Sequence, residues 1–178
     1  MIRVTENLYW GAIAPREEGL AIEPKQLDLL IYCGDCEEFA QYASEELRDE
    51  IDRWNVPVIC LGWHDNPGMP PTRKSITFLV DTVNMMLRAG RSVCIACALG
   101  INRSFFALMC CLARTEPEFE ARISALSRLR GINYEDWFHR YAIWRTVWET
   151  SKDKARDISD VKKGRMQAPQ SSQKERLK

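Results

Sequence analysis

The chain has no net charge, no long hydrophobic run and only two histidines. Its 25 Lys and Arg balance 25 Asp and Glu across 178 residues. That argues against a generally cationic nucleic-acid binder, although a local basic patch can sit inside the balance. Apolar runs stop at strand length, as in Val56–Gly62 (VPVICLG), too short to cross a bilayer. The opening MIRVTENLYWG lacks the basic-then-apolar order of a secretory leader, so export is not expected. With 46% hydrophobic and 28% charged residues, the composition is that of a globular domain.

Seven cysteines, an odd number with no leader, suit a reducing compartment, and a cytoplasmic location is expected. Cys33 and Cys36 form a C-x-x-C, half of a zinc site. A second ligand pair at zinc spacing is missing, because Cys110 and Cys111 are adjacent and His64 and His139 are isolated. No metal and no cofactor is therefore expected. Most of the cysteines read as small buried hydrophobes.

Periodicity gives strands alternating with helices. Short β-rich runs fall near Met1–Val4, Leu8–Ala12, Leu29–Cys33, Val56–Leu61 and Ser92–Ala96. Spaced apolar residues predict one amphipathic helix over Glu37–Trp54 and another over Thr72–Arg88, closed by Gly90. The nearly all-apolar stretch Arg103–Arg114 predicts a buried helix. Two further helices, Glu118–Arg130 and Tyr134–Glu149, are separated by Gly131. The second carries Tyr134, Trp137, Phe138, Tyr141, Trp144 and Trp148 at helical spacing, which reads as a core face. The pattern implies an α/β fold, a central mostly parallel sheet flanked by helices with a C-terminal helical cluster. Residues 1–149 read as one folded domain. Residues 150–178, with nine Lys/Arg, four Asp/Glu and few large apolar residues, read as a flexible basic tail.

The chemistry concentrates in SVCIACALGINRSFFALMCC, Ser92 to Cys111. A β-run ends at Cys97, a short loop follows, and a helix starts near Arg103. Successive loop amides at a helix N-terminus form a concave oxyanion site, and that positive end favours Cys97 as thiolate. The phosphate-binding residues are then Ala98, Leu99, Gly100, Ile101, Asn102 and Arg103. Gly100 permits the turn, and the planar fork of Arg103 grips two oxygens. Ser104 can donate a hydrogen bond to the Cys97 sulfur. Seven cysteines and 17 arginines make about 0.7 chance matches to C-x5-R, so that spacing alone decides nothing. Gly at the third position, Ser after Arg and the strand–loop–helix context make the match specific.

CALGINRS resembles the signature loop C-x-x-G-x-x-R-[ST] of the cysteine-based protein phosphatases. The arrangement is most similar to the small dual-specificity group over roughly residues 2–148, with NLYWG near the start. The resemblance implies a phosphatase in which Cys97 attacks phosphorus, Arg103 binds the phosphoryl oxygens and an aspartate about thirty residues upstream is the acid. Asp65, in LGWHDNPGMPP, lies 32 residues before Cys97, with His64 as its neighbouring competitor. The family usually places His before the nucleophile, whereas this chain has Ala96. GINR also resembles the loop of RNA 5′-phosphatases. The implied substrates are phosphoproteins or other phosphomonoesters, with RNA 5′-phosphates, phosphoinositides and a catalytically silent phosphate binder as alternatives. Cys94 and Cys60 are the candidate resolving thiols for an oxidised Cys97.

Overall fold

The computed structural model describes residues 1–14, 19–115 and 119–149. The basic segment 150–178 and the start of the helix expected from Glu118 lie outside them. Among the described residues, five strands form one sheet: β1 (Ile2–Arg3), β2 (Leu8–Ala12), β3 (Leu29–Tyr32), β4 (Val58–Cys60) and β5 (Val93–Cys97), in the order β1-β2-β5-β3-β4. Only β1 runs antiparallel, paired with β2; every other pairing is parallel. The mostly parallel α/β fold expected from the strand–helix alternation is therefore observed.

Parallel strands with covered faces read as continuous apolar runs, and β3 and β5 are buried at every position. β5 is the central strand. Its register sets Ala12 beside Cys97 and Tyr32 beside Ala96, so Cys97 emerges at its carboxyl end between two neighbours. In parallel sheets that end is where ligands bind, because the loops there enter helices whose N-termini face the crevice.

The helices follow from capping and spacing. α1 (Cys36–Tyr42) starts at Asp35, whose carboxylate accepts from Glu38 N–H. α2 (Glu45–Arg53) starts at Ser44, whose hydroxyl accepts from Leu47 N–H. The single helix expected over Glu37–Trp54 is thus two. Ala43 and Ser44 are extended, and the Ser44 cap begins a new helix there. α3 (Arg73–Arg88) is capped by Thr72 and buries Ile76, Leu79, Val80 and Val83. α4 (Asn102–Thr115) packs on β5 and β2 and is buried from Arg103 to Leu112. Each large apolar residue it buries contributes about 1.5–3 kcal/mol.

α5 (Phe119–Leu129) and α6 (Tyr134–Arg140) follow. The helix expected over Tyr134–Glu149 is interrupted at Tyr141 and resumes over 142–149. Its aromatic residues do form a core face. Trp137 and Trp144 pack on Phe105 and Phe106 of α4, and Tyr141 packs on both tryptophans, at ring separations of 4.8–6.2 Å. Among the described residues, no helix is long and apolar enough to cross a membrane, and no acidic, His and Cys cluster could hold a metal ion.

Candidate active site

The loop between β5 and α4 is held from behind. Ile13 N–H donates to Cys97 C=O (3.2 Å), Ala14 N–H to Ala98 C=O (2.9 Å) and Arg130 Nη2 to Leu99 C=O (3.2 Å). In a trans peptide the carbonyl and the following N–H point in opposite directions. Tying these carbonyls outward therefore turns the amides of Ala98, Leu99 and Gly100 inward, a concave nest for an oxyanion. Gly100 adopts φ +65°, and a Cβ there would stand 2.9 Å from Gly11 C=O. Both the positive φ and the close approach demand glycine.

Cys97 is buried, with its Sγ 3.2 Å from Ser104 Oγ in the first turn of α4. The hydroxyl also accepts from Trp10 Nε1 at 2.9 Å. Arg103 is buried too. Its Nη1 and Nη2 form a bidentate pair with Glu38 of α1, and Nη1 also donates to Trp63 C=O at 3.1 Å. Its Nε is buried without an acceptor among the described residues. Burial alone would push the guanidinium down. The hydrogen bonds to Glu38, with the nearby Cys97 and Glu38 charges, override it and hold Arg103 above its ordinary value. The same bonds hold Glu38 below the usual carboxylate range against partial burial.

Asp65 sits in the loop after β4, exposed, and accepts from Asn102 Nδ2 (3.1 and 3.3 Å) and from Tyr141 O–H (2.9 Å). His64 beside it is also exposed; it is Asp65 that the structure joins to the signature loop. The loop is fixed at both flanks. Trp63 Nε1 donates to Ser75 Oγ, and Trp144 Nε1 to Asn66 C=O at 3.2 Å. Burial, followed by the adjacent Asp65, pushes the Tyr141 phenol up.

The sequence pattern points to Cys97, Ala98, Leu99, Gly100, Ile101, Asn102, Arg103, Ser104 and Asp65, and the fold places them side by side. That pattern misses Glu38, Trp10 and Tyr141. Glu38 lies 65 residues from its arginine and reads, in sequence, as a first-turn helix acid. The thiol expectation also changes. Period-two alternation places Cys94 and Cys97 on opposite faces of β5, and burial, then the neighbouring Cys36, pushes the Cys60 thiol up. Cys33 is the thiol electrostatically coupled to Cys97, and burial, then that coupling, pushes it up.

No protein-family model and no curated protein matches the sequence. Solved structures do match the fold. PTPMT1 in complex with PI(5)P has a TM-score of 0.62 at 15% identity, over 86% of this chain and 97% of that one. DUSP15 has 0.59 at 14%, over 96% and 98%. The kinase associated phosphatase, with serine in place of its catalytic-site cysteine, has 0.54 at 19%, over 70% and 71%. The fold is that of the small dual-specificity cysteine phosphatases.

Proposed function

We propose that this protein is a cysteine-dependent phosphatase that hydrolyses phosphomonoesters, phosphotyrosine and phosphoserine or phosphothreonine on proteins foremost, through a cysteinyl-phosphate. The observation that carries the reading is the loop at the end of β5. It combines a buried thiol, a hydroxyl 3.2 Å from it, inward-turned amides and a buried Arg103 Nε lacking an acceptor among the described residues.

In the first step the Cys97 thiolate attacks phosphorus, the bond to the leaving oxygen breaks, and Asp65 supplies the proton that oxygen needs. In the second, water attacks phosphorus and gives its proton to Asp65. The P–S bond breaks, the electron pair returns to sulfur, and inorganic phosphate leaves. Arg103 and the amides hold the equatorial oxygens through both steps. Neither step requires a metal. A free nucleophilic thiol suits the reducing cytoplasm, and no disulfide joins the seven cysteines.

Asn102, the residue that favoured an RNA 5′-phosphatase, is engaged with Asp65. That contact sets a carboxyl beside the loop, where a proton donor serves the poor leaving group of a phosphomonoester more than the readily expelled group of an RNA 5′-triphosphate. The deciding assay is release of phosphate from a generic aryl phosphate with chelator present, abolished by Cys97→Ser. Absence of turnover with phosphate-competed binding would instead identify a silent binder. A phosphotyrosine peptide, a 5′-triphosphorylated RNA and a phosphoinositide compared on one preparation then separate the substrate classes. The phosphoinositide arm is included because PTPMT1 was solved with PI(5)P.

A further inference from the structure

We infer that Trp10 is a positioning residue for the nucleophile, acting through Ser104; the inference rests on the phosphatase reading of Cys97. A serine hydroxyl has one proton and two lone pairs, whereas an indole N–H can only donate. Trp10 Nε1 lies 2.9 Å from Ser104 Oγ, so one lone pair of that oxygen is taken. Cys97 Sγ lies 3.2 Å from the same oxygen. A thiolate has no proton to give, so the contact requires Ser104 to donate. The chain indole N–H to hydroxyl to sulfur therefore runs one way, and each bond polarises the next.

The indole cannot easily turn elsewhere. Trp10 is fully buried on β2 and packs at 5.8 Å from Phe105 of α4. The Arg130 guanidinium lies 5.8 Å over its ring while the same arginine donates to Leu99 C=O. One cluster thus clamps the back of the phosphate loop and aims the hydroxyl proton at sulfur. Titratable groups close enough to feel the Cys97 charge include Tyr32 and Cys33 at the end of β3 and Arg103 of α4. Of these only Arg103 is a cation, and it is shared with Glu38. Where relatives carry His before the nucleophile, this chain has Ala96, and the Trp10–Ser104 pair supplies a directed donor from the neighbouring strand.

The test is alkylation of Cys97 by iodoacetamide at one near-neutral pH, followed peptide by peptide, with inorganic phosphate as protecting ligand. Trp10→Phe keeps most of the ring and removes the N–H; it is expected to slow Cys97 alkylation about tenfold. Ser104→Ala should slow it comparably, and the double variant no further. Phosphate protection should stay unchanged in Trp10→Phe, since Arg103 and the amides are untouched. Native-rate alkylation in a folded Trp10→Phe, or effects that multiply in the double variant, would overturn the inference. Should Trp10→Phe not fold, the indole N–H resonances of the unsubstituted protein decide: that of Trp10 shifts on alkylation of Cys97 if the chain exists, and stays if it does not. Failure of the phosphatase reading would appear separately, as no turnover by the unsubstituted protein.

Discussion

At the scale of the residue, the site depends on how Arg103 is held. A guanidinium that must grip a phosphoryl group in a fixed plane needs its other nitrogens occupied, and Glu38 with Trp63 C=O does this. Arg103→Lys keeps the charge and loses the fork, so kcat/KM should fall by about 100- to 1,000-fold in steady-state assays with the fold intact. Glu38→Gln separates charge from position. The folded carboxyl is held below the ordinary glutamate value of 4.5, so the pair stabilises the fold above that value. The contribution then fades as pH falls through the lowered folded value. Glu38→Gln should cost about 3 kcal/mol at neutral pH, and less as acid removes the pair from the native protein too. Denaturant unfolding at neutral pH and at about pH 3.5 checks both the size and the convergence. Asp65→Asn removes the proposed proton donor. Turnover of alkyl or phenyl phosphates should fall about 100-fold, while activated aryl phosphates, whose leaving groups need no proton, should be nearly unaffected. The loop Cys97–Ser104 was legible in the sequence because its residues lie at short, fixed spacing, whereas Asp65, 32 residues upstream, was singled out only through the family resemblance. Glu38 was not, because nothing local marks an acid whose partner is 65 residues away.

At the scale of the element, boundaries depended on caps more than on periodicity. Apolar spacing through Glu37–Trp54 is continuous enough to predict one helix, yet Ser44 takes the Leu47 amide and starts another. That break leaves α1 as a short separate piece that delivers Glu38. Ser44→Ala should destabilise the protein by about 1 kcal/mol, seen as a lower denaturation midpoint with an unchanged slope. The loop entering α4 was legible for the opposite reason. Its Gly100 has no alternative, because φ is +65° and any added Cβ would meet Gly11 C=O at 2.9 Å. Gly100→Ala should cost about 1–3 kcal/mol and displace the amides from the thiol. Weaker protection of Cys97 by inorganic phosphate, with Arg103 still paired, is the measurement that reads the displacement.

At the scale of the whole molecule, the site joins elements that are remote in sequence. β5 supplies the thiol, α1 the carboxylate that fixes Arg103, the loop after β4 Asp65, and the segment after α6 Tyr141. Sheet order explains the first three, since β5 lies between β2 and β3 and β4 is next to β3. That order followed from strand–helix alternation in type but not in detail, because pairing is set by which faces pack together rather than by local pattern. The aromatic helix is the part whose consequence was least legible. Its spacing announces a core face, and it is one, yet Tyr141 and Trp144 also reach past the core to Asp65 and Asn66 C=O. The core thereby positions the acid loop. Tyr141→Phe and Trp144→Phe each remove one such bond while keeping most of the ring, so both should slow phenyl phosphate turnover more than activated aryl phosphate turnover. Because both bonds hold one short loop, their effects should not add, with a coupling of about 1 kcal/mol in a double-mutant cycle. Equal losses on both substrates, or simple additivity, would mean that the aromatic cluster supports the fold without positioning Asp65.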